Sequence, residues 1–248
     1  MTTRITYLGH ATIRIEIAGT TLLTDPVLRR AVFGGIIRRA GAAPGIEPPD
    51  AVLISHQHAD HLDLPSLRTL GDTPVIAPRG AGRRIRRAGI PSVREMSAGE
   101  SLSVAATVIT ATPATHDGRR FPIGPSIDAL GYVIEGAGTR IYFAGDTDLF
   151  DEMSELAGID VALLPIGGWG PHVKKGHLDP ERAAQAAAII RPRIAIPIHW
   201  GTMLRIDLHR RRPRLLTAPA QEFEARLADL APGVEPRTLA PGDTLELG

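Results

Sequence analysis

Ala51-Val52-Leu53-Ile54 runs without a break into Ser55-His56-Gln57-His58-Ala59-Asp60-His61, and no other stretch of the chain limits its fold and chemistry as much. Four consecutive apolar residues bounded by polar ones read as a strand buried on both faces. His56 and His58 continue it at the period-two spacing of an extended chain. Asp60 and His61 follow where the chain turns toward a helix, so four side chains able to bind a metal fan around one small volume. Three of the nine histidines and a carboxylate fall within six residues, a density that an ordinary polar loop does not explain.

The same placement recurs three more times. His116, Asp146 and His199 each follow an apolar strand candidate, in Ala114-Thr115-His116, Ala144-Gly145-Asp146 and Pro197-Ile198-His199. Taken singly, each reads equally well as a capping aspartate or a satisfied histidine. Delivered together from strand ends, they are what a rigid, preformed metal pocket requires. The chain has no cysteine, so any such pocket is built from nitrogen and oxygen donors. That set suits Zn2+, and with no sulfur to decide the matter it also admits Mn2+ or Fe.

Further strands are expected around residues 12–17, 22–24, 74–77, 107–110, 130–134, 140–143, 161–164, 194–198 and 244–247. A short helix capped by Asp63 is expected after residue 63. Asp179-Pro180-Glu181 opens a longer one with its cap, first-turn proline and acidic residue each in place, and a third runs from Pro219 to Leu230. Many strands with inserted helices imply a layered fold with antiparallel as well as parallel pairing. Residues 26–49, rich in Gly, Pro and Arg, and residues 117–128 are expected to be long loops that shape a pocket or form a lid.

At 248 residues and 43% hydrophobic, residues 1–248 read as one domain with a sizeable core and no run able to cross a bilayer. The opening Met-Thr-Thr-Arg-Ile-Thr-Tyr lacks the features of a secretion signal, which makes the cytoplasm the expected location. The formal charge is +1 and the arginines come in short, dispersed groups that read as solvated surface. Such dispersion argues against a nucleic-acid partner. A homo-oligomer is compatible with the sequence, which does not specify one.

With these residues in view, the chain resembles the metallo-beta-lactamase superfamily, through His56-x-His58-x-Asp60-His61 and the later His116, Asp146 and His199. The resemblance of order extends from Tyr7-Leu8-Gly9-His10 to Gly201-Thr202. It implies an α/β fold, the αββα sandwich of two mixed β-sheets packed face to face with helices outside. It also implies two divalent ions, the first on the positions matching His56, His58 and His116, the second on those matching Asp60, His61 and His199, with Asp146 bridging. Asp25 matches an acid that orients a ligand histidine. Two ions in such a set lower the pKa of a water and aim it at a carbonyl carbon or phosphorus, with Asp60 or Asp146 available to orient it.

Gly9-His10-Ala11-Thr12, Thr24-Asp25-Pro26, Leu164-Pro165-Ile166-Gly167, His177-Leu178-Asp179-Pro180 and His199-Trp200-Gly201-Thr202 resemble the branch containing N-acyl-phosphatidylethanolamine phospholipase D. The ascorbate-6-phosphate lactonase group shares part of this pattern. A phosphodiester or phospholipid-like substrate is therefore the leading expectation, with a lactone or other cyclic ester as the alternative and a metal-containing binding protein without turnover as the third reading. The chain lacks the long amphipathic apolar segment with which a phospholipase lies on a membrane. Near the pocket, His177 matches a family position beside the substrate and is expected to transfer a proton or steady phosphoryl oxygens. His10, Trp169, His172 and Trp200 are further candidates for the pocket or its support. His209, set among arginines, is expected to face solvent.

Overall fold

The computed structural model describes residues 2–40, 45–120, 126–170, 173 and 175–248. Two seven-stranded sheets dominate it. The first runs, edge to edge, Thr244–Leu247, Thr3–Gly9, Thr12–Ile17, Thr20–Thr24, Ala51–Leu53, Val75–Pro78, Val93–Met96. Its first three pairings are antiparallel and its last three parallel. The second runs Glu235–Pro236, Ile194–Ile198, Val161–Pro165, Thr139–Phe143, Leu130–Gly136, Thr107–Pro113, Ser101–Val104, parallel on the first side and antiparallel on the other.

Alternation along the strands sorts the apolar residues into layers. Leu22, Leu53, Ile141, Phe143, Leu163 and Ile196 join Ile5, Ile13 and Tyr132 in one buried cluster between the sheets. Their neighbours Leu23, Val52 and Ile54 point the other way, under Leu67 and Ile85 of the helices Leu64–Arg68 and Gly82–Arg87. On the far side Tyr142, Ala162 and Leu164 are covered by Ala183, Ala187, Phe223 and Leu227 of the helices Pro180–Ile190 and Ala218–Leu230. Strands buried on both faces explain why they read as continuous apolar runs. The result is the αββα sandwich.

The helix starts behave as their sequences require. Asp63 accepts from the Ser66 N–H, and Asp179 accepts from the Arg182 N–H at 2.9 Å with Pro180 in the first turn. Within residues 26–49 the expectation of a long loop is corrected in part: Ala31–Val32 and Ile37–Arg39 pair with each other, and Met203–Arg205 closes a three-stranded antiparallel sheet, while residues 41–44 lie outside the described part. The buried Arg39 departs likewise from a solvated surface: its guanidinium donates to the Leu8 and Val27 carbonyls and ties this small sheet to the ends of the large one. Residues 117–120 and 126–128 carry no strand or helix, as expected, while residues 121–125 lie outside the described part. Among the described residues no helix is long and apolar enough to cross a membrane.

Candidate metal centre

Every expected ligand follows the C-terminal end of a strand, and the strand directions bring those ends to one edge of the sandwich. Asp25 follows Thr20–Thr24, the 56–61 loop follows Ala51–Leu53, and His10 follows Thr3–Gly9. From the second sheet come His116, Asp146 and His199, after Thr107–Pro113, Thr139–Phe143 and Ile194–Ile198. Sharp exits are needed to aim them. His10, Asp25 and His199 hold positive φ values of 60°, 33° and 60°, and the His199 N–H donates to the His10 carbonyl at 2.7 Å. Backbone strain of this kind persists only where the surroundings over-determine it, and it gathers at functional sites.

Two groups of donors result. His56 Nε2 and His116 Nε2 lie 2.9 and 3.1 Å from His58 Nδ1. In the second group His61 Nε2 and His199 Nε2 are 3.1 Å apart, each 3.7 Å from Asp60 Oδ2. Asp146 connects to this group through Oδ2 at 3.2 Å from His61 Nε2 and Oδ1 at 3.4 Å from His199 Nε2. It also reaches His177 Nε2 at 3.5 Å, on the side of His116.

The outer hydrogen bonds decide where the imidazole protons sit, and they leave lone pairs pointing inward. His116 Nδ1 donates to the Gly176 carbonyl, His199 Nδ1 to the Gly167 carbonyl and His58 Nε2 to the Arg119 carbonyl. His61 Nδ1 meets Asp25 Oδ2 at 2.7 Å. The Ser55 hydroxyl gives its proton to the same carboxylate at 2.5 Å, so it accepts from His56 Nδ1. A ring in its neutral form therefore presents a bare nitrogen to its neighbour at about hydrogen-bond distance, an arrangement that repels unless a cation lies between them. Asp60 Oδ1 and Asp146 Oδ1 are buried with no hydrogen-bond partner among the described residues. Orphaned carboxylate oxygens beside converging lone pairs fit divalent metal ions, and the absence of sulfur keeps the donor set hard to borderline.

Electrostatics agrees with that reading. Burial holds His56, His58 and His116 below the ordinary histidine value, His116 at about 4. Burial opposes charge on His61 too, but the carboxylates of Asp146, Asp60 and Asp25 outweigh it and hold that ring well above the usual range. Burial would raise Asp60 and Asp146, yet the surrounding histidines, His61 foremost for Asp60 and His199 for Asp146, keep both well below the carboxylate norm. The pocket thus concentrates carboxylate charge beside the neutral rings of His56, His58 and His116, with the His61 proton as the one positive charge that a bound cation would replace.

The other candidates divide. Asp25, fully buried, accepts from the Ser55 N–H and hydroxyl and from His61, so it supports both ends of the 56–61 loop. His10 donates through Nε2 to Asp60 Oδ2 at 3.0 Å, and burial holds its pKa down at about 3, which makes it a neutral support for that carboxylate. Trp169 donates to the same oxygen at 2.7 Å and stacks obliquely against Phe33, with ring centroids 4.9 Å apart. Trp200 stacks instead on Tyr7 and bonds the Pro197 carbonyl, away from the cleft. His209 is half-buried and meets the Leu204 carbonyl, so it does not simply face solvent. His172 lies outside the described residues.

Over the donors opens a cleft of about 830 Å3, lined by His58, His116, Asp146, His177 and His199 on the floor and by Phe33, Trp169 and Val173 on an apolar side. Arg119, Arg120, Lys175 and Arg205 add positive charge, with Asp117 the acidic residue among them outside the donor set. Arg120 was not singled out in the sequence. It reaches from the cleft to the Gln57 and Leu62 carbonyls and clamps the ligand loop from outside, a role that no local pattern announces. Ser55 was visible as the residue before His56, but its hydroxyl bridge to Asp25 depends on two strands meeting.

A model of the beta-lactamase superfamily domain matches residues 20–200. A UPF0173 metal-dependent hydrolase of Opitutus terrae is 33% identical over 256 residues, covering 98% of this chain and all of the relative. One from Methanopyrus kandleri is 32% identical over 258 residues, covering 98% of this chain and 99% of its own. Among solved structures, Igni18, a metallo hydrolase from the archaeon Ignicoccus hospitalis, superposes with a TM-score of 0.72 at 25% identity, over 100% of this chain and 99% of that one.

Proposed function

Since the chain belongs to the beta-lactamase superfamily and is a metal-dependent hydrolase, we propose that it cleaves a phosphodiester whose alcohol portion is apolar, as in a phospholipid-like molecule, using two Zn2+ ions. His56, His58 and His116 would hold one ion and Asp60, His61 and His199 the other, with Asp146 between the two. When bound, the pair would supply a water of lowered pKa and neutralise charge on the attacked phosphoryl group. Asp60 and Asp146 would orient that water through their carboxylates.

The observation that supports the substrate class is the mixed lining of the cleft. Lys175, Arg119 and Arg205 bring positive charge to it, that of Arg119 and Arg205 partly offset by Asp117 and Asp207, while Phe33, Trp169 and Val173 give it apolar surface for a substituent. His177, with its side chain 22% exposed and Nε2 3.5 Å from Asp146 Oδ2, faces both water and the reacting position. It can protonate the departing alkoxide. Arg120 keeps the ligand loop in place by bonding two of its carbonyls, so the donors need not reorganise as substrate enters.

The test is turnover of zinc-loaded protein on bis(p-nitrophenyl) phosphate, a short-chain glycerophosphodiester and a panel of lactones. Metal-dependent cleavage of the phosphodiesters, with His177→Ala keeping its zinc and losing about tenfold or more in kcat, is expected. Hydrolysis confined to the neutral lactones would overturn the phosphodiester assignment in favour of a lactonase, the ester class that the apolar wall would also accept.

A further inference from the structure

A second groove, of about 350 Å3, shares the ligand loop with the cleft: Gln57 lines this groove, while its neighbour His58 lines the other. Arg68, Arg83, Arg84 and Arg87 line it, and no carboxylate does among the described residues. Arg83 and Arg87 are four residues apart on the helix Gly82–Arg87, so they share a face and repel each other. Neither side chain forms a hydrogen bond or ion pair among the described residues, whereas that of Arg86 between them bonds Glu95. The Arg68 Nε is fixed on the Ala88 carbonyl at 2.7 Å, which presents the other end of its guanidinium. Arg84 is close enough to Arg120 that its charge, after burial, helps to depress the latter's pKa.

Arg83 and Arg87 hold like charges side by side with no counter-charge among the described residues, and Arg68 and Arg84 add to the same positive lining, so a bound polyanion is the partner that removes the electrostatic cost. We propose that this groove binds a small anion of high charge density, of the diphosphate type, through the guanidinium groups of Arg68, Arg83, Arg84 and Arg87, at a site separate from the metal cleft. Planar guanidinium forks match phosphoryl oxygens two at a time, and a volume of about 350 Å3 admits a diphosphate group while excluding a folded nucleic acid. Because Gln57 lies between His56 and His58, the occupant would sit against the loop that carries the metal ligands. The assignment is independent of the substrate proposed above, since none of these arginines lines the cleft.

Titration calorimetry with inorganic pyrophosphate on the metal-loaded protein tests it, with wild type compared to Arg83→Glu/Arg87→Glu and metal content measured before and after. The expected result is a binding component that weakens with added salt, is stronger than orthophosphate binding, and falls by about tenfold or more in the double variant. Turnover without pyrophosphate should match wild type, because the change is outside the cleft. Should charge reversal lower the melting temperature, Arg83→Gln/Arg87→Gln replaces it in the same comparison. Equal pyrophosphate affinity in wild type and variant, or no affinity in either, overturns the proposal. Tighter, arginine-dependent binding of a single-stranded RNA oligonucleotide than of pyrophosphate also overturns it and makes the groove part of a nucleic-acid surface.

Discussion

Replacing Asp25 by Asn keeps the shape of a fully buried side chain and removes only its charge and one acceptor. In the native protein, Oδ1 accepts from the Ser55 N–H at 2.7 Å, and Oδ2 accepts from the Ser55 hydroxyl at 2.5 Å and from His61 Nδ1 at 2.7 Å. An amide has a single acceptor oxygen. Turned toward Ser55 N–H, it sets its NH2 against two donors; turned toward His61, it sets the NH2 against the Ser55 amide. In the first orientation the neutral ring that His61 must present to a metal relieves the clash by carrying its proton on Nε2, where no lone pair is left to ligate. Losing one charge-assisted bond costs about 1.5–3 kcal/mol. Support of this kind is typically worth 10–100-fold in metal affinity, about 1.4–2.7 kcal/mol, so the two estimates agree. Zinc affinity measured by competition with a chromophoric chelator should therefore fall 10–100-fold for one of two equivalents. Ser55→Ala, which removes the acceptor of His56 Nδ1 and one neutral donor to Asp25 but leaves the carboxylate on His61, should cost less. Two equivalents bound within twofold of wild-type affinity in Asp25→Asn, with the His61 tautomer unchanged by nitrogen NMR, would refute the role assigned to this carboxylate.

Zinc binding at pH 7 should release roughly one proton per chain from the protein: His61, held charged by its carboxylates, must lose its proton to ligate, whereas His56 and His116 are already neutral. Calorimetry in buffers of different ionisation enthalpy measures that release, and affinity should rise with pH until His61 has passed its raised pKa. Gly145→Ala should destabilise the fold by about 1–3 kcal/mol in a urea melt and lower zinc affinity, since φ is +62° there and a Cβ would lie 2.5 Å from the Ser55 Cβ, one residue before Asp146. Asp179→Ala removes the cap on the Arg182 N–H and should cost about 1 kcal/mol in the same melt while leaving zinc content unchanged. An activity loss in that variant beyond the stability loss would show that the loop carrying His177 depends on the cap.

Much of this protein was legible without coordinates because its strongest signals are local. A strand buried on both faces must be apolar throughout, which made 51–54, 161–164 and 194–198 readable. Helix capping is a contact within four residues, so Asp63 and Asp179 announced their helices. Ligands that leave strand ends can be recognised by what precedes them, and the recurrence of that placement singled out His116, Asp146 and His199. The short strands within 26–49 escaped because their partner, Met203–Arg205, lies far along the chain and two or three residues carry no period. Arg39 looked like surface for the same reason: its burial depends on carbonyls contributed by Leu8 and Val27. The inward lone pairs, the Ser55–Asp25–His61 bridge, the Arg120 clamp and the arginine groove are also long-range. Their residue types can be read in the chain, but their geometry comes into being only when the ends of two sheets meet at one edge of the sandwich.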